Sequence, residues 1–179
     1  PLPRLHAVTP ADSDSHADHY CVDTGRVRIA FTGIDQDIFH PDPAVAPEPG
    51  LIVTTASADA PIKGLDVLID ALARVAAARP LARLHIIGTL RDGPAKQALA
   101  AHGLSTRVTT SAHLTREAIA QLYRRAHTAA CPARSQRFPL PAAAATACRP
   151  AAAPTTRAAL PAVLREAALT STPGRPRRP

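Results

Sequence analysis

Tryptophan and methionine are absent from this chain of 179 residues, and phenylalanine and tyrosine together supply only five side chains. A core assembled without large rings must come from Ala, Val, Leu and Ile. Alanine buries little area per residue, so such a core is only weakly stabilised. Cys21, Cys131 and Cys148 lie far apart with no C-x-x-C pair. That spacing argues against a disulfide framework or a structural zinc site and makes a cytoplasmic setting the expectation. No run of about 18 apolar residues exists, which excludes an ordinary membrane-spanning helix, and no charged-then-apolar leader opens the chain. With no Met and a first residue of Pro1, the start codon is expected upstream.

Several common signatures are missing too. There is no G-x-G-x-x-G, no G-x-x-x-x-G-K-[ST] and no G-x-S-x-G, so neither a nucleotide loop of those types nor a nucleophile elbow is present. His16, His19 and Cys21 cluster with Asp14 and Asp18. No second cluster completes a ligand set, so a solvated polar segment is the better reading and no metal is predicted.

Charge is distributed unevenly. Residues 1–90 carry 7 basic and 11 acidic side chains, whereas residues 91–179 carry 14 and 3. A basic half can signal nucleic-acid binding. Here 19 of the 21 basic residues are Arg, as GC-rich coding favours, and no aromatic residues interleave with the late arginines to stack on bases. Nucleic acid is therefore not the expected partner, although a small basic nucleic-acid-binding protein remains the alternative from a different class.

What is present has a regular order. Leu5 to Thr9 reads as the end of a strand, and alternating Val27 to Phe31 as a short one. Residues 41–50 hold four prolines and a glycine, the composition of a linker or domain-edge loop. From Leu51 onward strands and helices alternate. Leu51 to Thr55 is a run suited to a strand buried on both faces. After a loop at 56–63, Leu65, Leu68, Ile69, Leu72, Val75 and Ala76 fall at helical spacing, with Asp70 and Arg74 paired outside. Leu84 to Ile87 forms the next strand, ending at Gly88. Pro94 and Gly103 bracket a short helix. Arg107 to Thr110 is a weaker strand, residues 116–126 a helix with Ile119, Leu122, Tyr123 and Ala126 on one face, and Thr128 to Cys131 a fourth strand. This order predicts an α/β fold, a Rossmann-like parallel sheet with helices on both faces. A ligand is then expected at the carboxyl ends of the strands. There, Lys63-Gly64 at a helix start can meet an anionic group.

In series these pieces resemble the second half of family-4 (group 1) retaining glycosyltransferases, whose fold is the two-domain GT-B type. Thr32-Gly33-Ile34-Asp35 with Phe39-His40-Pro41 is similar to the family's "G-[IV]-D-x-x-x-F-x-P" junction. Thr54 to Leu65 resembles the first strand and loop of the donor domain with its Lys-Gly, and Leu122-Tyr123-Arg124-Arg125-Ala126 resembles its "L-Y-x-x-A" helix. Pro132 to Cys148 resembles "P-S-x-x-E-G-F-x-L-P-x-x-E-A-M-A-C-G", and Ala159 to Val163 resembles "A-L-P-E-V". The resemblance implies residues 1–48 as the end of an acceptor domain plus the interdomain junction. It implies 49–165 as an incomplete nucleotide-sugar-binding domain, and leaves 166–179 as a disordered basic tail.

It further implies transfer of a sugar from a nucleotide-sugar donor to an acceptor with retention and without a bound metal or other cofactor. Lys63 would neutralise the leaving diphosphate, Gly88 would allow close approach beside the nucleotide, and Leu114 would face the base. Backbone N–H groups of Arg137, Phe138 and Leu140, with Pro139 between them bringing none of its own, would face sugar and phosphate. Association of the full-length enzyme with a membrane surface is compatible with the family.

This sequence departs from the family where the chemistry lies. The two glutamates fall on Gln136 and Ala144; the first normally orients the donor sugar and the second accepts ribose hydroxyls. Expected glycines are Arg137 and Arg149, the expected methionine is Thr146, and a further glutamate is Ala162. Each change follows from one base becoming C in a GC-rich codon, the pattern of a decayed gene or a misread sequence. Impaired activity, or a non-catalytic remnant, is the resulting expectation.

Overall fold

A computed structural model describes residues 5–7, 13–14, 18, 23–30, 32–56, 63–133, 140–148 and 151–154. Near the start, β1 (Leu5–Ala7) pairs in parallel with β2 (Val27–Ile29), Leu5 opposite Val27. The chain then runs through the proline-rich junction into a second, larger sheet.

That sheet contains β3 (Leu51–Thr55), β4 (Arg83–Ile87), β5 (Val108–Ser111), β6 (Thr128–Cys131) and β7 (Ala151–Pro154), all parallel in the spatial order β5-β4-β3-β6-β7. The helices between them are α1 (Leu65–Ala78), α2 (Pro94–Ala101), α3 (Arg116–Arg125) and α4 (Leu140–Ala147). Alternation along the strands sends side chains to opposite faces. Leu51 and Val53 join Ile87 on the face covered by Tyr123 of α3 and Ala145 of α4. Ile52 joins Leu84 and Ile86 on the face covered by Leu65, Ile69 and Leu72 of α1 and Ala95 of α2. The expected parallel sheet with helices on both faces is thus the observed one.

Element ends follow local chemistry. Pro94 opens α2 at a position whose N–H would have no helical partner, and Gly103 follows its end at φ 63°. Thr115 caps α3, its Oγ1 accepting from the Ala118 N–H at 3.3 Å. Three details differ from the sequence reading. Val75 is 42% exposed although it falls in the apolar stripe of α1. Asp70 accepts from His102 Nε2 at 2.8 Å, across to the end of α2, in place of the expected Arg74. The stretch after Pro150, which looked unlike the rest, supplies β7 on the edge of the sheet, with Ala151 opposite Thr128.

The junction is fastened to the sheet domain. Ile34, Ile38 and Phe39 pack on the cluster under α3 and α4. Arg124 donates from Nε to the His40 carbonyl at 2.9 Å and from Nη2 to the Ile38 carbonyl at 2.8 Å. Glu48 accepts from Arg125 Nε at 2.6 Å, forms an ion pair with Arg83 of β4, and donates its own N–H to the Arg125 carbonyl at 2.8 Å. Among the described residues no helix is long and apolar enough to cross a membrane.

Candidate functional site

The strand order reverses at β3: the chain leaves it toward β4 on one side and later returns to β6 on the other. In open parallel sheets the crevice beyond such a point is where ligands bind, because the two crossovers splay apart there. The loop after β3 brings Lys63 and Gly64 to this crevice. Gly64 holds φ 65°, and a Cβ placed on it would fall 2.4 Å from the carbonyl oxygen of Pro132, which directly follows β6. Glycine is therefore required twice over, by the left-handed backbone and by the close approach. The consequence is that α1 begins against the end of β6, with half-buried Lys63 directly before it.

Two of the helices that start at this edge of the sheet, α1 and α3, are headed by different residues. Thr115 takes up the Ala118 N–H of α3, and Glu117 sits in its first turn, held below the ordinary carboxylate range by a backbone N–H and the Thr115 hydroxyl. Gly64 at the head of α1 supplies no capping side chain. Asp66 sits in the first turn of α1, where the helix dipole favours negative charge.

Gly88 ends β4 at φ 141° and donates its N–H to the Ser111 carbonyl at 2.8 Å, while Ala56 donates to the Ile87 carbonyl at 3.0 Å. Those bonds align the carboxyl ends of β3, β4 and β5. Leu114 lies in the loop after β5, packed against the α3 and α4 cluster, directly after His113 at φ 55°. Lys63, Gly88 and Leu114 thus all follow strand ends on one edge of the sheet. Gln136, Arg137, Phe138 and Pro139 lie outside the described residues, as do His16, His19 and Cys21. Leu140 opens α4 at 42% exposure, and Ala144 one turn later is buried. Asp14 and Asp18 are exposed, and among the described residues no group of three His, Cys, Asp or Glu is placed to hold a metal.

Beside the crevice is a cleft of about 220 Å³. Its walls are junction residues Gly33 to Asp35 with Phe39, helix α3 from Arg116 to Tyr123, and the first turns of α4 including Ala144. Thr55, the last residue of β3, and Tyr123 share a hydroxyl–hydroxyl bond of 2.7 Å in it. Burial pushes the Tyr123 phenol well above its ordinary range, with the Thr55 bond opposing, so it stays a neutral hydroxyl. Burial likewise raises the Cys131 thiol to about 12 and pushes Cys148 up. Both are protonated near neutrality and poor nucleophiles. The pairing of Thr55 with Tyr123 escaped sequence reasoning, since each read only as a packing residue of its own element.

The Glycosyl transferases group 1 family matches residues 49–177. This chain belongs to that family. Within it, an MMP alpha-(1->4)-mannosyltransferase from Mycolicibacterium hassiacum is 31% identical over 147 residues, covering 82% of this chain and 35% of the relative. A D-inositol 3-phosphate glycosyltransferase from Mycobacteroides abscessus is 36% identical over 154 residues, covering 81% and 35%. The group 1 chain therefore spans about a third of the length of these relatives. Its fold is shared with a sucrose-phosphate synthase from Thermosynechococcus elongatus (TM-score 0.77, 19% identity, 95% of this chain and 45% of that one). It is shared also with the C-terminal domain of a group 1 glycosyl transferase from Francisella tularensis (TM-score 0.66, 21% identity, 79% and 81%).

Proposed function

We propose that this group 1 chain is the donor-binding part of a cytoplasmic glycosyltransferase, which moves a sugar from a nucleotide-sugar to an acceptor with retention at the anomeric carbon. The observation that carries the reading is the juxtaposition of Lys63, the glycine-headed start of α1 and the end of β6 at the switch point of the sheet. When the glycosidic bond to the donor breaks, negative charge grows on the departing diphosphate. An ammonium group and fixed N–H dipoles already in place stabilise that charge without reorganising. Gly88 leaves the nucleotide room beside β4, and the backbone at Leu114 is positioned to meet the base.

Ala144 supports a second reading of the same site, donor binding without efficient turnover. Its methyl group cannot accept the hydroxyl bonds that a carboxylate there would accept, and Gln136 brings no charge. Calorimetric titration of the full chain with UDP and with GDP tests the donor reading. One of them should bind, and Lys63→Ala should weaken that binding roughly 10- to 100-fold, the range for a charge-assisted contact. Equal binding by Lys63→Ala would overturn the reading. Mixing the chain with a separately produced acceptor half and assaying sugar transfer then separates the two versions.

A further inference from the structure

We propose that the Thr55–Tyr123 hydroxyl pair is a recognition element for one neutral, hydroxylated ring of the donor, held in the cleft between the junction and helices α3 and α4. The inference rests on the donor reading and names a part of that site which the phosphate-binding elements leave unused.

Two hydroxyls carry two protons, and their mutual bond of 2.7 Å uses only one. Whichever oxygen donates, one O–H and several lone pairs are left over. Tyr123 is 2% exposed and Thr55 is partly buried, so bulk water has limited access to that remainder. Among the described residues neither hydroxyl has a further partner. A part-buried donor of this kind favours an acceptor brought into the space it lines, and that space is the cleft.

The remaining lining defines the ligand. Asp35 places a carboxylate in the same cleft; one oxygen accepts the Asp37 N–H at 3.1 Å and the other lies 3.5 Å from Arg116 Nη1. Unused lone pairs on it accept from hydroxyl groups and repel an anion. Ile34, Phe39 and Ile119 supply apolar surface. A group with hydroxyls on its rim and C–H surface on its faces, which a sugar ring has, satisfies both kinds of lining. Arg116 lines the cleft as well, but it is paired with Asp35 at 3.5 Å, so the charged lining is balanced and suits a neutral ring better than a phosphate. The volume, about 220 Å³, falls short of the roughly 300–1,000 Å³ typical of drug-sized ligands, so the cleft takes one ring and not a whole nucleotide-sugar. Ala144 fits this assignment: its short side chain keeps the cleft open, and hydroxyl recognition passes to the pair opposite.

Ribose and the transferred hexose share this chemistry, and binding measurements on the full chain tell them apart. Calorimetry with UDP, GDP, UDP-glucose and GDP-mannose should show Tyr123→Phe and Thr55→Val each weakening binding about 5- to 10-fold, while Thr55→Ser stays near wild type. A loss already seen with UDP or GDP assigns the ring as ribose; a loss confined to the sugar-bearing ligands assigns it as hexose. If nucleotides bind, Lys63→Ala weakens them and both hydroxyl variants bind like wild type, this inference falls and the donor reading stands. If no nucleotide binds at all, both fall. Circular dichroism verifies that each variant is folded, and should Tyr123→Phe not fold, the Thr55→Val and Thr55→Ser pair decides the matter.

Discussion

Gly64 shows how a single residue joins fold to site. Its φ of 65° is one that L side chains rarely adopt, and the Pro132 carbonyl stands where a Cβ would go. Gly103 has a nearly equal φ of 63°, but a Cβ there meets nothing within 4 Å. Comparing the two isolates the contact from the backbone conformation. Gly103→Ala should lower unfolding stability by about 1 kcal/mol for the positive φ alone. Gly64→Ala should lower it by at least about 2 kcal/mol, since strain and clash add, and should also weaken nucleotide binding by shifting α1 off β6. Urea midpoints at unchanged slope measure both; equal losses in the two variants would show that the close approach to Pro132 does not matter. The Lys63-Gly64 pair was legible in the sequence because it sits at a strand-loop-helix boundary. The Thr55–Tyr123 pair was not, because its members are 68 positions apart and only the sheet brings them together.

At the scale of elements, periodicity located β3 to β6 and the helices between them within a residue or two, because their apolar spacing is set by which face they bury. It missed β7, whose Ala-Ala-Ala-Pro sequence carries neither alternation nor β-branched residues. Its strand character comes from pairing with β6 alone. Periodicity also missed the firmness of the junction. Four prolines read as a linker or a domain-edge loop, and the bonds of Arg124, Arg125 and Glu48 that tie it to α3 and β4 make it the second.

This network responds to pH. The Arg125 bond chiefly, and Arg83 after it, hold the Glu48 carboxyl below its ordinary value of 4.5 despite some opposing burial. A carboxylate whose value is lowered on folding contributes stability that is full above the unfolded value and is lost as pH falls through the folded one. Wild type should therefore exceed Glu48→Gln in stability at pH 7 by about 0.5–1 kcal/mol, a modest figure because all three side chains are partly exposed. The gap should close as pH falls below 4.5 and shrink in high salt. A gap that persisted at pH 2 would assign the difference to packing and not to charge.

For the molecule as a whole, the two sheet faces are unequally filled. The face under α1 and α2 is built mainly from Leu and Ile, whereas five of the ten buried residues under α3 and α4 are alanine. The alanine-rich face is the one against which the junction, the cleft and the end of β3 are assembled, so ligand binding is coupled to its integrity. A nucleotide that occupies the site only in the folded chain must raise stability by mass action, about 2.7 kcal/mol at a concentration 100 times its Kd. For a chain of this size that corresponds to a rise of roughly 5–10 °C in melting temperature.

A competing source of binding has the opposite signature. The chain carries a net charge of +7, concentrated in its second half, and an Arg-rich unfolded chain also attracts phosphates. Binding of that kind stabilises folded and unfolded states alike, leaves the melting temperature nearly unchanged and disappears as salt screens the charges. Scanning calorimetry with and without the nucleotide, at low and at moderate salt, therefore decides whether the phosphates are held by the crevice between β3 and β6 or by charge alone. A shift of several degrees that survives moderate salt and is largely lost in Lys63→Ala is the expected result. Calorimetric binding with no shift would remove the crevice from the account and leave a basic polymer that attracts anions.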